Sequence, residues 1–267
     1  MTELKQFKPT FEELNSIIRR HSDWVFKNID QLGNHSRIDG RTDGEKAHFI
    51  STDLSDFDLR GVDLRGAHFS QVTFNNTNLA GAKLDGAWFY NCKLTNSNLS
   101  EVDFNDGKAE STTFTQCDLS RIGLERTELP DCVFEEANLA GANLVNANIS
   151  RTKLLSSDLT GVDLSCSWMD DVTDFYGSIL QGVNFCRAGG NNYQVKTAQC
   201  VPLCFSYTAD SMFLEDHHYT LEQWWSFTDE EIELVPFEFG LDWWYDWKPV
   251  LKRMIELSPA EPAIQPK

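Results

Sequence analysis

A period of five residues constrains this chain more than any other feature of its sequence. Steps of five from Phe49 to Met169 give 25 positions, and 24 of them are Leu, Phe, Ile or Met, with Ala109 as the exception. Five residues turn a side chain by about 500° on an α-helix and place successive side chains on opposite faces of a strand. Neither element can collect these residues on one side. The chain must therefore turn a corner within every five residues and form a coil with a narrow interior.

Within each repeat we call the large central residue position i. A mostly small residue stands at i−2, while Asp, Asn, Arg and Gly are common at i−1, i+1 and i+2. The large residue is expected to fill the interior beside the small one, with the other three positions facing solvent. One residue is inserted after Met169, and the pattern resumes at Phe175, Leu180 and Phe185.

Counting from Leu59, every fourth repeat has Leu at its central position, which favours four repeats to the coil. We call such a set of equivalent positions in successive coils a column. The predicted core ladder is Leu59, Leu79, Leu99, Leu119, Leu139 and Leu159, and the residue before each of them is Asp or Asn.

The repeats resemble those of the pentapeptide-repeat family, whose motif reads A(D/N)LXX. The segments ANLAG at 137–141 and ANLVN at 142–146 match it closely, and VDLRG at 62–66 and TNLAG at 77–81 nearly so. The resemblance covers residues 47–171 and implies an all-β solenoid, a right-handed four-sided parallel β-helix. At about 4.8 Å per coil, six coils would make a rod roughly 30 Å long.

Such a solenoid needs capped ends, and both ends of the sequence offer them. Thr10 followed by Glu13 forms a capping box that opens an amphipathic helix. The family often carries an N-terminal helix of the form EEL…I…H..W, which the sequence fits at Glu12, Glu13, Leu14, Ile18, His21 and Trp24. The expected divisions are an N-terminal helix and linker over 1–46, the β-helix over 47–186, a helical aromatic cap over 187–257 and a disordered tail over 258–267.

The predicted C-terminal cap is rich in tryptophan. Thr220 with Gln223 and Thr228 with Glu231 begin two helices, a third segment runs from 241 to 257, and residues 187–219 are expected to be irregular. The tryptophans fit two interpretations. They form a small core that closes the last coil, or Trp243, Trp244 and Trp247 form the seam of a homodimer, as in relatives that pair through their C-termini.

Little in the sequence indicates chemistry. No signal peptide, membrane-spanning stretch or common catalytic motif is visible, and seven cysteines without an export signal predict a cytoplasmic protein. Cys200, Cys204, His217 and His218 are spaced more widely than zinc ligands usually are. We expect no catalytic residue, metal or cofactor, and therefore no enzyme.

The charge excludes some partners and suggests others. Lys and Arg number 23 against 41 Asp and Glu, so the net charge of −18 disfavours binding to nucleic acid or to an anionic membrane. Residues 47–171 carry −10 and residues 201–267 carry −9. A 30 Å length of B-DNA carries about 18 charges, so the rod would have about half that density.

Some members of the family are acidic rods that occupy the DNA site of type II topoisomerases. The resemblance thus implies a DNA mimic that binds gyrase, topoisomerase IV or another DNA-binding protein, such as a host defence protein. Relatives that rescue gyrase from drugs carry loops between coils, and the unbroken register here leaves simple mimicry or inhibition. The C-terminal block also resembles the ends of bacterial and phage-borne members. The alternative is a scaffold that mediates protein assembly.

Eight residues are candidates for contact with a partner. They are the aromatic residues at outward positions of one column and five carboxylates: Trp88, Tyr90, Trp168, Asp58, Asp118, Asp158, Glu101 and Asp103. The competing interpretation places Trp88 against the linker or the N-terminal helix, and Trp168 under the C-terminal block.

Overall fold

The computed structural model describes residues 6–32, 46–191, 194–200, 203–214, 217–235 and 240–263. Helix α1 spans Phe11–Leu32. Nine three-residue strands follow in the repeats: β1 His48–Ile50, β2 His68–Ser70, β3 Thr73–Asn75, β4 Trp88–Tyr90, β5 Lys93–Thr95, β6 Lys108–Glu110, β7 Thr113–Thr115, β8 Val133–Glu135 and β9 Lys153–Leu155. The C-terminal block holds strands β10 Lys196–Cys200, β11 Leu203–Tyr207, β12 Ser211–Leu214 and β13 His217–Thr220, and helices α2 Leu221–Ser226, α3 Asp229–Glu233 and α4 Gly240–Leu257.

Parallel pairing at a step of 20 residues builds the repeats into a solenoid. Strands β1, β2, β4 and β6 form one sheet and strands β3, β5, β7, β8 and β9 another. The other two sides are joined by single bridges at the same step, for example Asp58 to Asn78 and Asp63 to Lys83. Twenty residues are four repeats, so the parallel β-solenoid expected from the sequence is confirmed. Its right-handed sense stays a prediction of the resemblance.

The corners of the coil are made at position i+2. Residues there have φ between +48° and +67° when they are not glycine, as at Ser51 and Asp56, and glycine takes the same conformation at Gly81. Asp and Asn at i−1 stabilise the turn, since their side chains accept a hydrogen bond from the backbone N–H of i+1. Asp118 accepts from Ser120 at 3.0 Å in this way.

The small residues at i−2 do more than fit the available space. Most of those that carry a hydroxyl or thiol donate it to the carbonyl of a central residue in the preceding coil. Thr152 donates to Leu129 at 2.6 Å, and Cys132 donates to Ala109 at 3.3 Å. Because the interior offers these carbonyls few other partners, the bonds compensate for burying them.

The inserted residue shifts the register without ending the solenoid. Asn148 pairs with Trp168 at a step of 20, and Lys153 pairs with Asp174 at a step of 21. At the insertion, the Asp170 carboxylate accepts the backbone N–H groups of Arg151, Val172 and Thr173. The pattern then continues inward at Phe175 and Phe185, which are both fully buried.

Helix α1 covers the first coil. Its predicted capping box is confirmed, since the Thr10 N–H donates to the Glu13 carboxylate at 2.7 Å and the Glu13 N–H donates to the Thr10 hydroxyl at 3.3 Å. Leu14 and Trp24 are buried. Before the helix, Phe7 exchanges two backbone hydrogen bonds with Ser51 and Asp53, which adds this residue to the first coil.

The C-terminal block differs from the irregular segment and helices expected for it. Strands β10 to β13 form a four-stranded antiparallel meander, so the prediction of an irregular stretch over 187–219 was wrong. Both predicted capping boxes, at Thr220 and Thr228, are confirmed. Helix α4 runs through Pro249 as one helix. Phe213 packs edge-on against Phe185, with ring centres 5.6 Å apart, and so closes the last coil.

The tail also differs from the disordered segment expected over 258–267. The Tyr207 hydroxyl donates to the Ser258 carbonyl at 2.7 Å, and the Gly177 N–H donates to the Ala263 carbonyl at 2.6 Å. Ala260 is buried against the C-terminal core. The tail up to Ala263 thus ties this core to the solenoid, and residues 264–267 lie outside the described part of the chain.

Candidate functional site

The aromatic candidates lie on the side of the solenoid formed by β1, β2, β4 and β6. Trp88 pairs with Lys108, and single bridges continue the column through Glu128 and Asn148 to Trp168. Trp88 and Trp168 therefore share a column, but four coils, or about 19 Å, separate them. The structure brings Trp88 next to Tyr90, with ring centres 6.5 Å apart, and leaves Trp168 far from both.

All three aromatic side chains are open to solvent. Trp88 is 40% exposed, Tyr90 42% and Trp168 65%. Exposure this high at Trp168 does not fit a residue packed under the C-terminal block. On Trp88, the described ring contacts come from neighbouring positions of the same side, namely His68 and Tyr90. The linker that was the competing neighbour of Trp88 falls outside the described residues.

Rings, an isoleucine and a lysine lie around Trp88 on one side of the first three coils. We call this surface the ring strip, and it comprises Lys46, His48, Ile50, His68, Trp88 and Tyr90. Ring centres are 4.8 Å apart between His48 and His68, and 5.4 Å apart between His68 and Trp88. Sequence reading picked out Trp88 and Tyr90. The exposed Ile50 and the lysine were missed, since Ile50 shares a column with Tyr90 only through Ser70 and the lysine reaches His68 through a side-chain contact.

Lys46 anchors one end of the ring strip. Its ammonium lies 3.0 Å from His68 Nε2 and 5.5 Å from the centre of the Trp24 ring. Burial lowers the pKa of Lys46 to about 8, which leaves it mostly charged at neutral pH. Burial, together with the Lys46 charge, lowers the pKa of His68 to about 4. The strip therefore carries one cation, and His68 is neutral near pH 7.

The acidic candidates stand on two other sides of the rod. Asp58, Asp118 and Asp158 share the i−1 column beside the core ladder, in which all six leucines are buried. Asp58 pairs with Arg60 at 2.6 Å, and Glu101 at a corner pairs with Arg121 at 2.5 Å. These two carboxylates are thus partly neutralised.

Asp118 and Asp158 bond to hydroxyl, amide and backbone groups, and neither has an ion pair among the described residues. The Asp158 carboxylate accepts from the hydroxyl and the backbone N–H of Thr160 at 2.6 and 2.9 Å. Asp118 accepts from the Asn138 amide at 3.1 Å. Their full charges remain available to an external cation.

Asp103 lies on the next side, close to Asp85 of the preceding coil. Asp103 accepts from the Asn105 side-chain amide at 2.6 Å. Burial, together with the Asp103 charge, raises the pKa of Asp85 to about 6. This pair therefore carries somewhat less negative charge near neutral pH than two separate carboxylates would.

Negative charge surrounds the repeat region instead of collecting on one side. When residues 47–171 are divided among the four sides, each side carries two or three more acids than bases. Five arginines lie in this region, and all five form ion pairs with carboxylates. The ring strip is different, because residues 46–51, 67–71 and 87–91 hold no carboxylate.

The dimer-seam candidates lie in or against the core of the C-terminal block. Trp244 is 2% exposed and Trp243 is 9% exposed, while Trp247 is partly buried and stacks on Trp243 with ring centres 5.8 Å apart. Trp224 belongs to the same core, and its indole N–H donates to the Met212 carbonyl at 2.8 Å. Trp243 and Trp244 thus pack within one chain, and a dimer through this block would need other contacts.

The described residues contain no apparent metal site. No group of three or more His, Cys, Asp or Glu side chains is placed there to hold a metal ion. His218 stacks on Phe213, and the side chains of Cys200 and Cys204 are outside the description. An apolar cavity of about 10 Å³ lies inside the coil near Phe104 and Ile122. None of the helices in the described ranges is long and apolar enough to cross a membrane.

Comparisons with solved structures find other pentapeptide-repeat proteins. HetL from the cyanobacterium Nostoc is 16% identical, covers 61% of this chain and 90% of its own length, and has a TM-score of 0.33. The plasmid-mediated fluoroquinolone resistance protein QnrB1 is 17% identical over 53% of this chain and 80% of its own length, with a TM-score of 0.37. Rfr23 from the cyanobacterium Cyanothece is 20% identical over 62% of this chain and 97% of its own length, with a TM-score of 0.25. At these scores the neighbours carry no argument about function.

The sequence itself matches a family model within the repeats. No curated protein matches the chain. The model for pentapeptide repeats matches in eight copies, over residues 45–81, 58–96, 82–121 and 124–165. These ranges contain the coils whose 20-residue pairing is described above, and we conclude that the chain is a pentapeptide-repeat protein.

Proposed function

We propose that this protein is a non-enzymatic protein-binding rod that acts as a DNA mimic toward a DNA-binding protein. The observation that carries the proposal is the net negative charge on all four sides of a regular solenoid. DNA also presents charge all around its axis, and a protein that encloses DNA meets phosphates on several sides. A rod charged on one side only would not reproduce that arrangement.

The density of charge sets the expected strength of binding. Residues 47–171 carry −10 over about 30 Å, where B-DNA carries about 18 charges. Residues 201–267 of the sequence add −9. We therefore propose competition with DNA at about half its charge density, with gyrase, topoisomerase IV or a DNA-binding defence protein as the target class.

Capture from a bacterial lysate tests this proposal. The immobilised protein is incubated with lysate, with and without duplex DNA as competitor, at two salt concentrations. We expect a DNA-binding protein to be captured, to be displaced by DNA, and to be lost at higher salt because exposed charges are screened. Purified gyrase in a supercoiling assay gives the second readout, in which inhibition should weaken as salt rises.

Two outcomes would contradict the proposal. Capture of a partner that is indifferent to competitor DNA would favour the scaffold interpretation. Capture that does not change with salt would indicate that aromatic contacts, rather than charge, hold the partner. The variant Trp168→Ala separates these causes, since it removes a ring that is 65% exposed in the Trp88 column and leaves the charge unchanged.

A further inference from the structure

The ring strip is a surface that the DNA-mimic proposal does not use. It lacks carboxylates in a chain of net charge −18, so a protein that binds DNA phosphates has no reason to contact it. The exposed groups are nevertheless large: Ile50 is 67% exposed, and Trp88 and Tyr90 about two fifths, with Ser70 between Ile50 and Tyr90 in their column. Exposed aromatic groups of this kind are typical of protein-binding surfaces.

The chemistry of the ring strip points to an acidic partner with an apolar residue. Lys46 supplies positive charge at one end, and Trp88, Tyr90 and Ile50 supply apolar contact. Three coils at about 4.8 Å and one side of the solenoid give a footprint that suits one short helix. The strip ends at β6, where Lys108 is already paired with Glu110 and Glu128.

The C-terminal block of this same chain carries such a helix. In α3, Ile232 is turned inward, while Asp229, Glu230, Glu231 and Glu233 are exposed. Leu234, directly after the helix, is 81% exposed. No Lys or Arg occurs from 228 to 239, so acidic charge and one free apolar side chain are presented together.

The chain's own α3 packs elsewhere. Its described contacts are with α4, in the block that follows the last coil, whereas the ring strip occupies the first three coils. Trp88 is nearly five coils, or roughly 23 Å, from the coil that ends near Phe185. Contact between the two surfaces would therefore join different molecules.

We propose that the ring strip of one copy binds α3 and Leu234 of a second copy, so that molecules associate head to tail. The surfaces complement each other in charge, since the ring strip has a lysine and no carboxylate, whereas α3 has four exposed carboxylates, of which Asp229 lies near Lys248 of α4. Such an interface is heterologous. It leaves a free ring strip at one end and a free α3 at the other, and further copies can add.

Sedimentation of the full chain at low salt tests the proposal. The wild type should show concentration-dependent association beyond a dimer. Trp88→Glu places a carboxylate in the ring strip, and Leu234→Lys places a base and removes the apolar contact in the acidic surface; each should weaken association about tenfold or more. Trp168→Glu is the matched control, because it makes the same change in the same column four coils away.

Mixing the two impaired variants gives the decisive result. The Trp88→Glu chain keeps an intact α3 and the Leu234→Lys chain keeps an intact ring strip, so the mixture should form a 1:1 dimer and stop there. A wild type that stays monomeric at its highest soluble concentration overturns the proposal. So does a dimer that Trp88→Glu leaves unchanged, or a mixture that does not form the 1:1 species. Circular dichroism confirms that each variant is folded.

Discussion

At the scale of single residues, His21 ties helix α1 to the first coil. The side chain is fully buried, and its Nδ1 accepts the Ala47 N–H at 3.0 Å. The ring stacks on Trp24, with centres 5.4 Å apart. Burial lowers the pKa of His21 to about 4, since the charged imidazolium would lose its water. A neutral histidine therefore holds this junction.

The first prediction is a loss of stability between pH 6.5 and pH 4. The unfolded chain has an ordinary histidine pKa and binds a proton in this window, whereas the native His21 does not, so stability falls as the pH falls. The loss has an upper bound of about 3 kcal/mol for this residue. Urea unfolding across the window measures it. The control is His21→Gln, whose amide can still accept the Ala47 N–H. Its free energy of unfolding should fall less between pH 6.5 and pH 4 than that of the wild type. An equal fall would refute the assignment of this loss to His21.

A second prediction at this scale compares two glycines. An added Cβ at Gly107 would stand 2.6 Å from the Phe104 ring inside the coil, whereas at Gly81 it would meet nothing within 4 Å. Gly81 has φ +64°, so alanine there costs about 1 kcal/mol for the backbone conformation alone. Gly107→Ala should cost about 1–3 kcal/mol through overpacking. Thermal melting separates the two, and a Gly107→Ala variant as stable as the wild type would show that the Phe104 ring moves freely.

At the scale of elements, the repeats could be predicted from sequence and the meander could not. Each coil repeats one local pattern, so the central residues and the small i−2 residues were visible as spacing. In β12, Met212, Phe213 and Leu214 are all buried, because Phe213 faces the last coil while Met212 and Leu214 face the C-terminal core. A strand covered on both faces loses the alternation that marks it in a sequence.

The candidate site likewise has residues whose placement could be predicted from the sequence and residues whose placement could not. Outward positions such as Trp88 and Asp118 follow from the repeat register, so their placement could be predicted. The membership of Lys46 in the ring strip depends on contacts with Trp24 of α1 and His68 of the next coil. Tertiary contacts of this kind leave no periodic signal in the sequence.

The prediction for the elements concerns the core ladder. Leu119 is 1% exposed, so Leu119→Lys places an ammonium in an apolar interior without a partner. The cost should be several kcal/mol, enough to disrupt the coils on both sides, because each coil is stabilised by its neighbours. Denaturant unfolding followed by circular dichroism measures it. Ser120→Lys, one residue further on and half-exposed, is the control and should melt near the wild type; a stable Leu119→Lys chain would contradict the inward placement.

At the scale of the whole molecule, the distribution of charge decides between mimicry and other binding modes. The Asp118 and Asp158 column allows charge to be removed without altering shape, because Asn occupies equivalent positions at Asn78, Asn98 and Asn138 and makes the same turn hydrogen bond. Asp118→Asn combined with Asp158→Asn should therefore leave the fold intact and lower the rod's negative charge by two.

If the rod competes with DNA, this double variant should bind its captured partner more weakly and with a shallower dependence on salt. Fewer carboxylates then contact the cations that the partner uses for phosphates. Affinity measured at several salt concentrations gives both quantities. The pair Ser120→Asn and Thr160→Asn, polar changes at the next outward positions of the same two repeats, is the charge-neutral control. Equal weakening by both pairs would show that the partner recognises the shape of this side and not its charge. No weakening by either pair would place the contact on another side of the rod.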